Sequence, residues 1–84
     1  MSELENFKKK LLYRSSYRGT KEMDILLSNF VKFYIDKLSK DELLDLEKLL
    51  NIEDEVIYNF YQNNMMDQSL KGNKIVALFK KFKI

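Results

Sequence analysis

No cysteine and no histidine occur anywhere in this chain. Their absence excludes disulfides, structural zinc sites and acid-base catalysis by imidazole, and it removes both the Ser-His-Asp and the Cys-His nucleophile. Any metal would have to be held by oxygen ligands. Proline and tryptophan are missing too, and glycine occurs only twice. No glycine-rich phosphate loop, internal repeat or strand-like alternation is present. No apolar run approaches the roughly 20 residues of a membrane-spanning helix. The N-terminus lacks the apolar stretch of a signal peptide, and Glu3 and Glu5 argue against a mitochondrial presequence, which is poor in acids. A bacterial cytoplasmic protein is the simplest expectation.

What is present suits one small folded domain over residues 1–84. Of these residues 45% are hydrophobic and 33% charged, far from the disordered class. The net charge of +2 conceals a division. Residues 1–22 hold six basic and three acidic groups, residues 23–70 four and ten, and residues 71–84 five and none. Positive ends around a negative middle do not make the even basic stripe of a nucleic-acid footprint.

Apolar spacing divides the chain into helices. A first helix over 3–13 places Leu4, Phe7 and Leu11 on one face, with Lys8, Lys9 and Lys10 around the other. A long second helix runs from about Thr20 to Leu38, with Met23, Leu26, Leu27, Phe30, Phe33, Tyr34 and Leu38 forming its broad apolar face. Ser39-Lys40-Asp41-Glu42 is a capping box that opens a third helix, which buries Leu43, Leu46 and Leu50. Glu53, Asp54 and Glu55 place acids at the positive end of a fourth, with Val56, Ile57, Phe60 and Tyr61 inward. Residues 63–73 read as a connection tacked to the core by Met65, Met66 and Leu70. A last helix over 74–82 presents Ile75, Leu78, Phe79 and Phe82, with Lys80, Lys81 and Lys83 near its negative end. The expected fold is an all-α, compact single-domain bundle of about five helices.

One stretch stands apart from this regular pattern. Arg18-Gly19-Thr20-Lys21-Glu22 follows Tyr13, Arg14 and Tyr17 at the corner between the first two helices. Part of it is punctuation: Gly19 stands where a helix stops and a left-handed residue is wanted, and Glu22 falls in the next helix's first turn. Punctuation does not require two arginines and two tyrosines in one corner, and these are the residue types that interfaces use as anchors. From the chemistry alone, a structural and a binding reading both stand.

The run Leu12-Tyr13-Arg14-Ser15-Ser16-Tyr17-Arg18-Gly19-Thr20-Lys21-Glu22-Met23-Asp24 resembles the signature of the small succinate dehydrogenase assembly factors, the SdhE flavinylation-factor family, whose hallmark is R-G-x-x-E. The resemblance continues to Phe30, through Leu38 to Leu43, and across the acidic turn into Asp54 to Phe60. It departs at Ser28, where many members carry glycine, at Phe60, where tryptophan is common, and in lacking proline near the fourth helix. The resemblance implies an assembly factor, not an enzyme, that binds the flavoprotein subunit of succinate dehydrogenase, and in some bacteria of fumarate reductase, and promotes covalent attachment of FAD. In such flavoproteins a histidine carries the flavin. This chain has none, so the acceptor and the FAD would both belong to the partner, with no cofactor of the chain's own. The partner-binding residues implied are Arg14, Tyr17, Arg18, Gly19, Glu22 and Asp24, on a monomer. Two other roles stand beside this one: a nucleic-acid binder using Lys8–Lys10 and Lys80–Lys83, and a toxin-neutralising interaction protein.

Overall fold

A computed structural model describes residues 2–83. Its element order is α1 (Glu3–Ser15), α2 (Lys21–Tyr34), α3 (Lys40–Leu50), α4 (Asp54–Asn63), a 3-10 turn (Gln68–Leu70) and α5 (Val76–Lys81). No strand occurs among the described residues, and no helix is long and apolar enough to cross a membrane. α1 packs on both α2 and α3, and α5 packs on α4. The radius of gyration is 12.1 Å, matching the value of about 12 Å for a compact chain of this length.

Side-chain caps start three of the helices. Ser2, Thr20 and Ser39 accept the N–H groups of Glu5, Met23 and Glu42 respectively, each satisfying a donor that the helix leaves unpaired. At Ser39 the box is complete, because Glu42 reaches back to the Ser39 N–H at 2.8 Å. Ser39→Ala is expected to cost about 1 kcal/mol, read as a lower midpoint in urea with an unchanged slope.

The core gathers Leu11 of α1, Met23, Leu26, Leu27, Phe30 and Val31 of α2, four leucines of α3, Ile57 and Phe60 of α4, and Leu70, Ile75, Val76 and Phe79 behind them. Four expectations need correction. α2 ends at Tyr34 rather than Leu38: the Lys37 ammonium bonds the Phe33 carbonyl at 2.7 Å, and the chain must turn so that Ser39 can be extended and cap α3. Phe33 lies at the rim of the apolar stripe and is 53% exposed, its ring covered by Lys37. Met65 and Met66 do not tack the connection down; Leu70 alone of the three is buried. Leu4 is also exposed.

The lysine triplet is largely a paired surface. Lys8 meets Asp36 at 3.2 Å and Lys10 meets Glu47 at 4.0 Å, pairs of the solvent-exposed kind that contribute little to stability.

Candidate functional site

The corner between α1 and α2 is built by one arginine. α1 ends at Ser15, whose hydroxyl donates to the Leu12 carbonyl at 2.7 Å, and the next residues leave the helix. The left-handed residue expected at Gly19 is instead Tyr17, with φ 58°. A tyrosine pays about 1–2 kcal/mol for that conformation. Its N–H is held by the Asp24 carboxylate at 3.0 Å, so the first turn of α2 fixes the unusual backbone before it.

Arg18 then turns inward and is only 12% exposed. Its Nε donates to Asp54 at 2.8 Å. One terminal nitrogen donates to the carbonyls of Arg14 and Leu50 at 3.1 and 2.9 Å, the other to Ile52 at 3.3 Å while pairing with Asp54 at 2.6 Å. All five donors of the guanidinium are occupied. A single side chain thus joins the end of α1, the end of α3 and the start of α4. The physical reason is double: the cation meets carbonyls that α3 leaves unpaired at its negative end, and it meets a carboxylate through charge-assisted bonds.

Gly19 completes the same clasp. Its N–H donates to the second Asp54 oxygen at 2.8 Å. A Cβ at Gly19 would stand 3.2 Å from that oxygen, tighter than ordinary contact, and the oxygen is not free to retreat because Arg18 holds its carboxylate. Glycine is needed here for close approach, not for handedness. Arg14 lies alongside, its guanidinium donating to the Asn51 side chain.

Glu22 behaves differently. It sits in the first turn of α2, is exposed, and among the described residues makes no hydrogen bond or ion pair. Its carboxylate stands at the junction of two shallow hollows between α2 and α4. Thr20, Met23, Asp54, Glu55 and Tyr58 line one with it, and Ile25, Leu26, Tyr58, Tyr61 and Gln62 the other. In the same corner Tyr17 and Tyr13 are 81% and 69% exposed, their rings 5.6 Å apart. The R-G-x-x-E letters therefore divide into an internal clasp and an outward acid flanked by apolar surface.

The six residues singled out from the sequence share one corner but not one orientation. Arg18 spends its donors inward, Gly19 donates to Asp54 and Arg14 to Asn51, Asp24 pins Tyr17, and Tyr17 and Glu22 face solvent. Asp54 was missed as anything beyond a helix-start acid, and Tyr58 and Asn51 were missed altogether. The one signal for Asp54 lay in the Arg-Gly pair, which offers a forked cation and an adjacent N–H and so asks for one two-oxygen acceptor.

Comparison with known proteins identifies the family. Residues 9–83 match the model of a family described as flavinator of succinate dehydrogenase. Relatives named succinate dehydrogenase assembly factor 2, mitochondrial, include one from Dictyostelium discoideum, 43% identical over 60 residues, covering 71% of this chain and 43% of the relative. Another, from Yarrowia lipolytica, is 37% identical over 62 residues, covering 74% and 43%. A third, from Saccharomyces cerevisiae strain S288c, is 36% identical over 67 residues, covering 80% and 41%. The chain spans about half the length of the curated relatives it matches. No solved structure matches it significantly. The mitochondrial names overturn the expectation of a bacterial cytoplasmic protein. Glu3 and Glu5 were the residues behind that expectation, and both lie in the capped first turn of α1, where acids answer to the helix dipole rather than to a compartment.

Proposed function

The chain belongs to the family of succinate dehydrogenase flavinators, and from that premise we propose that it binds the flavoprotein subunit of succinate dehydrogenase and promotes covalent attachment of FAD. The docking face is the α1–α2 corner with the adjoining α2–α4 hollows. The observation that carries this is the free Glu22 carboxylate, held at a fixed place by a clasp that consumes every donor of Arg18. An exposed acid beside Tyr58 and Ile25 offers one charge for a partner's polar or cationic group and apolar area around it, and the exposed Tyr13–Tyr17 pair of the same corner adds aromatic surface.

The division of labour is that Arg18, Gly19, Asp54 and Asp24 build the surface while Glu22 and Tyr17 touch the partner. The chain supplies no acid, base or nucleophile of its own to the bond-forming step. Its contribution is to hold flavin and acceptor histidine aligned within the partner and to keep water out while they react.

Glu22→Ala separates this role from a structural one. With no internal bond to lose beyond a weak helix-dipole interaction, the variant is expected to keep its helicity and a melting temperature within about 4 °C of the parent. Covalent flavin on a co-expressed flavoprotein subunit, read by in-gel fluorescence, should fall at least about tenfold, equivalent to about 1.4 kcal/mol of lost interaction. Normal flavin attachment by a folded Glu22→Ala protein would refute the assignment.

A further inference from the structure

The far end of α4 carries a second surface, of opposite charge. α4 stops at Asn63, and Asn64 follows with φ 57°, turning residues 64–67 away from the helix. Asp67 then accepts the hydroxyl and N–H of Ser69, bonds that hold its carboxyl below the usual carboxylate range, the hydroxyl bond more than the N–H, and start the 3-10 turn. Between this segment and α5 lies a groove whose apolar lining includes Met66, Leu70, Val76 and Ala77, with Phe60 beneath. Met66, which lines it, is 52% exposed.

The rim is basic. Lys71, Lys80 and Lys81 line the groove and no acid does. Lys80 is committed, since its ammonium bonds the Tyr61 and Phe60 carbonyls at 2.8 and 3.2 Å and caps α4. Lys71 and Lys81 have no ion pair or hydrogen bond through their ammonium groups among the described residues. Asp67, the acid nearest in sequence, spends its carboxylate on Ser69. Two cations unpaired among the described residues thus flank an open apolar trough walled by a methionine, the side chain best able to adjust to a partner's shape.

We propose that this groove receives an acidic amphipathic helix of a protein partner, its apolar side chains lying along Leu70, Val76 and Ala77 and its carboxylates meeting Lys71 and Lys81. A helix in a groove matches the trough's aliphatic lining and charge. A nucleic acid would find the lysines but no stacking platform, because Phe60 is buried and the Tyr61 ring is engaged by Phe79. A lipid surface would need the apolar groups on a convex face, and here they line a concave one. This surface does not depend on Glu22 or on the corner at the other end of α4.

The test titrates the full chain into a labelled synthetic helix bearing leucine at three- and four-residue spacing and glutamate elsewhere. A matched helix with lysine for glutamate, a single-stranded RNA oligonucleotide and phosphatidylserine vesicles are run beside it. The acidic helix is expected to bind in preference to all three. Lys71→Glu with Lys81→Glu should weaken it at least about tenfold, and Met66→Asp by a similar factor. Lys32→Glu, the same reversal on an exposed remote position, should change it less than about twofold. Circular dichroism checks that each variant is folded. Equal binding of the acidic and basic helices, absence of binding, indifference to the double lysine reversal, or tighter binding of RNA or vesicles would each overturn the proposal.

Discussion

Asp54→Ala should destabilise the domain by about 2–3 kcal/mol and lower its melting temperature by roughly 10–20 °C, read by urea and thermal denaturation. The mutation strips its carboxylate partner from a guanidinium that is 12% exposed and leaves the Gly19 N–H without its acceptor. Removing one partner of a fully buried pair costs about 3–5 kcal/mol, and the lower figure here allows for the 23% exposure of Asp54 and the three carbonyls that Arg18 retains. Arg18→Ala should cost a similar amount, and the two losses should not add, with a coupling of about 2 kcal/mol in the double-mutant cycle. Arg18→Lys should recover less than half, since an ammonium cannot fork between a carboxylate and three carbonyls. Flavin attachment should fall in parallel with stability for Asp54→Ala, whereas for Glu22→Ala it should fall alone. A loss below about 0.5 kcal/mol for Asp54→Ala, the range of ordinary surface substitutions, would mean that the clasp does not hold the corner.

Phe30→Ala should have the largest effect on stability. Phe30 is fully buried, and its ring lies 5.1 Å from Tyr34, 5.2 Å from Phe79 and 5.4 Å from Phe82. Emptying that position costs about 3–5 kcal/mol from lost burial and the cavity left behind. A domain of this size holds only about 4–13 kcal/mol in total, so the variant is expected to be partly unfolded at 37 °C. Its measure is the urea midpoint together with loss of aromatic circular dichroism. Phe33→Ala, one turn away on the same apolar stripe, should cost less than about 1 kcal/mol because that ring is half in solvent already. Equal losses at the two positions would contradict the packing described.

These two cases also mark how far the sequence is legible. The helices, their order and the capping box at Ser39 follow from interactions within four residues, so local spacing declares them. Periodicity places Phe30 and Phe33 together, but which of them meets α5 depends on helix crossing, and spacing is silent on that. Asp54 shows the limit most sharply. Its neighbours Glu53 and Glu55 are chemically equivalent in the sequence, and only the fold brings one of the three within reach of an arginine 36 residues earlier. Gly19 was placed at a turn for its backbone freedom, while its role depends on that same distant carboxylate. In the motif, local reading found the letters; the meaning of the first two rests on a contact across the molecule.

The bond from Gly19 to Asp54 spans 35 positions of sequence, and it gives an amide on an exposed residue a protection that its own surroundings do not explain. Deuterium can enter there only when α4 releases the corner, so the exchange of that one hydrogen reports the opening of a helix far along the chain. A partner settling on the corner would slow that opening.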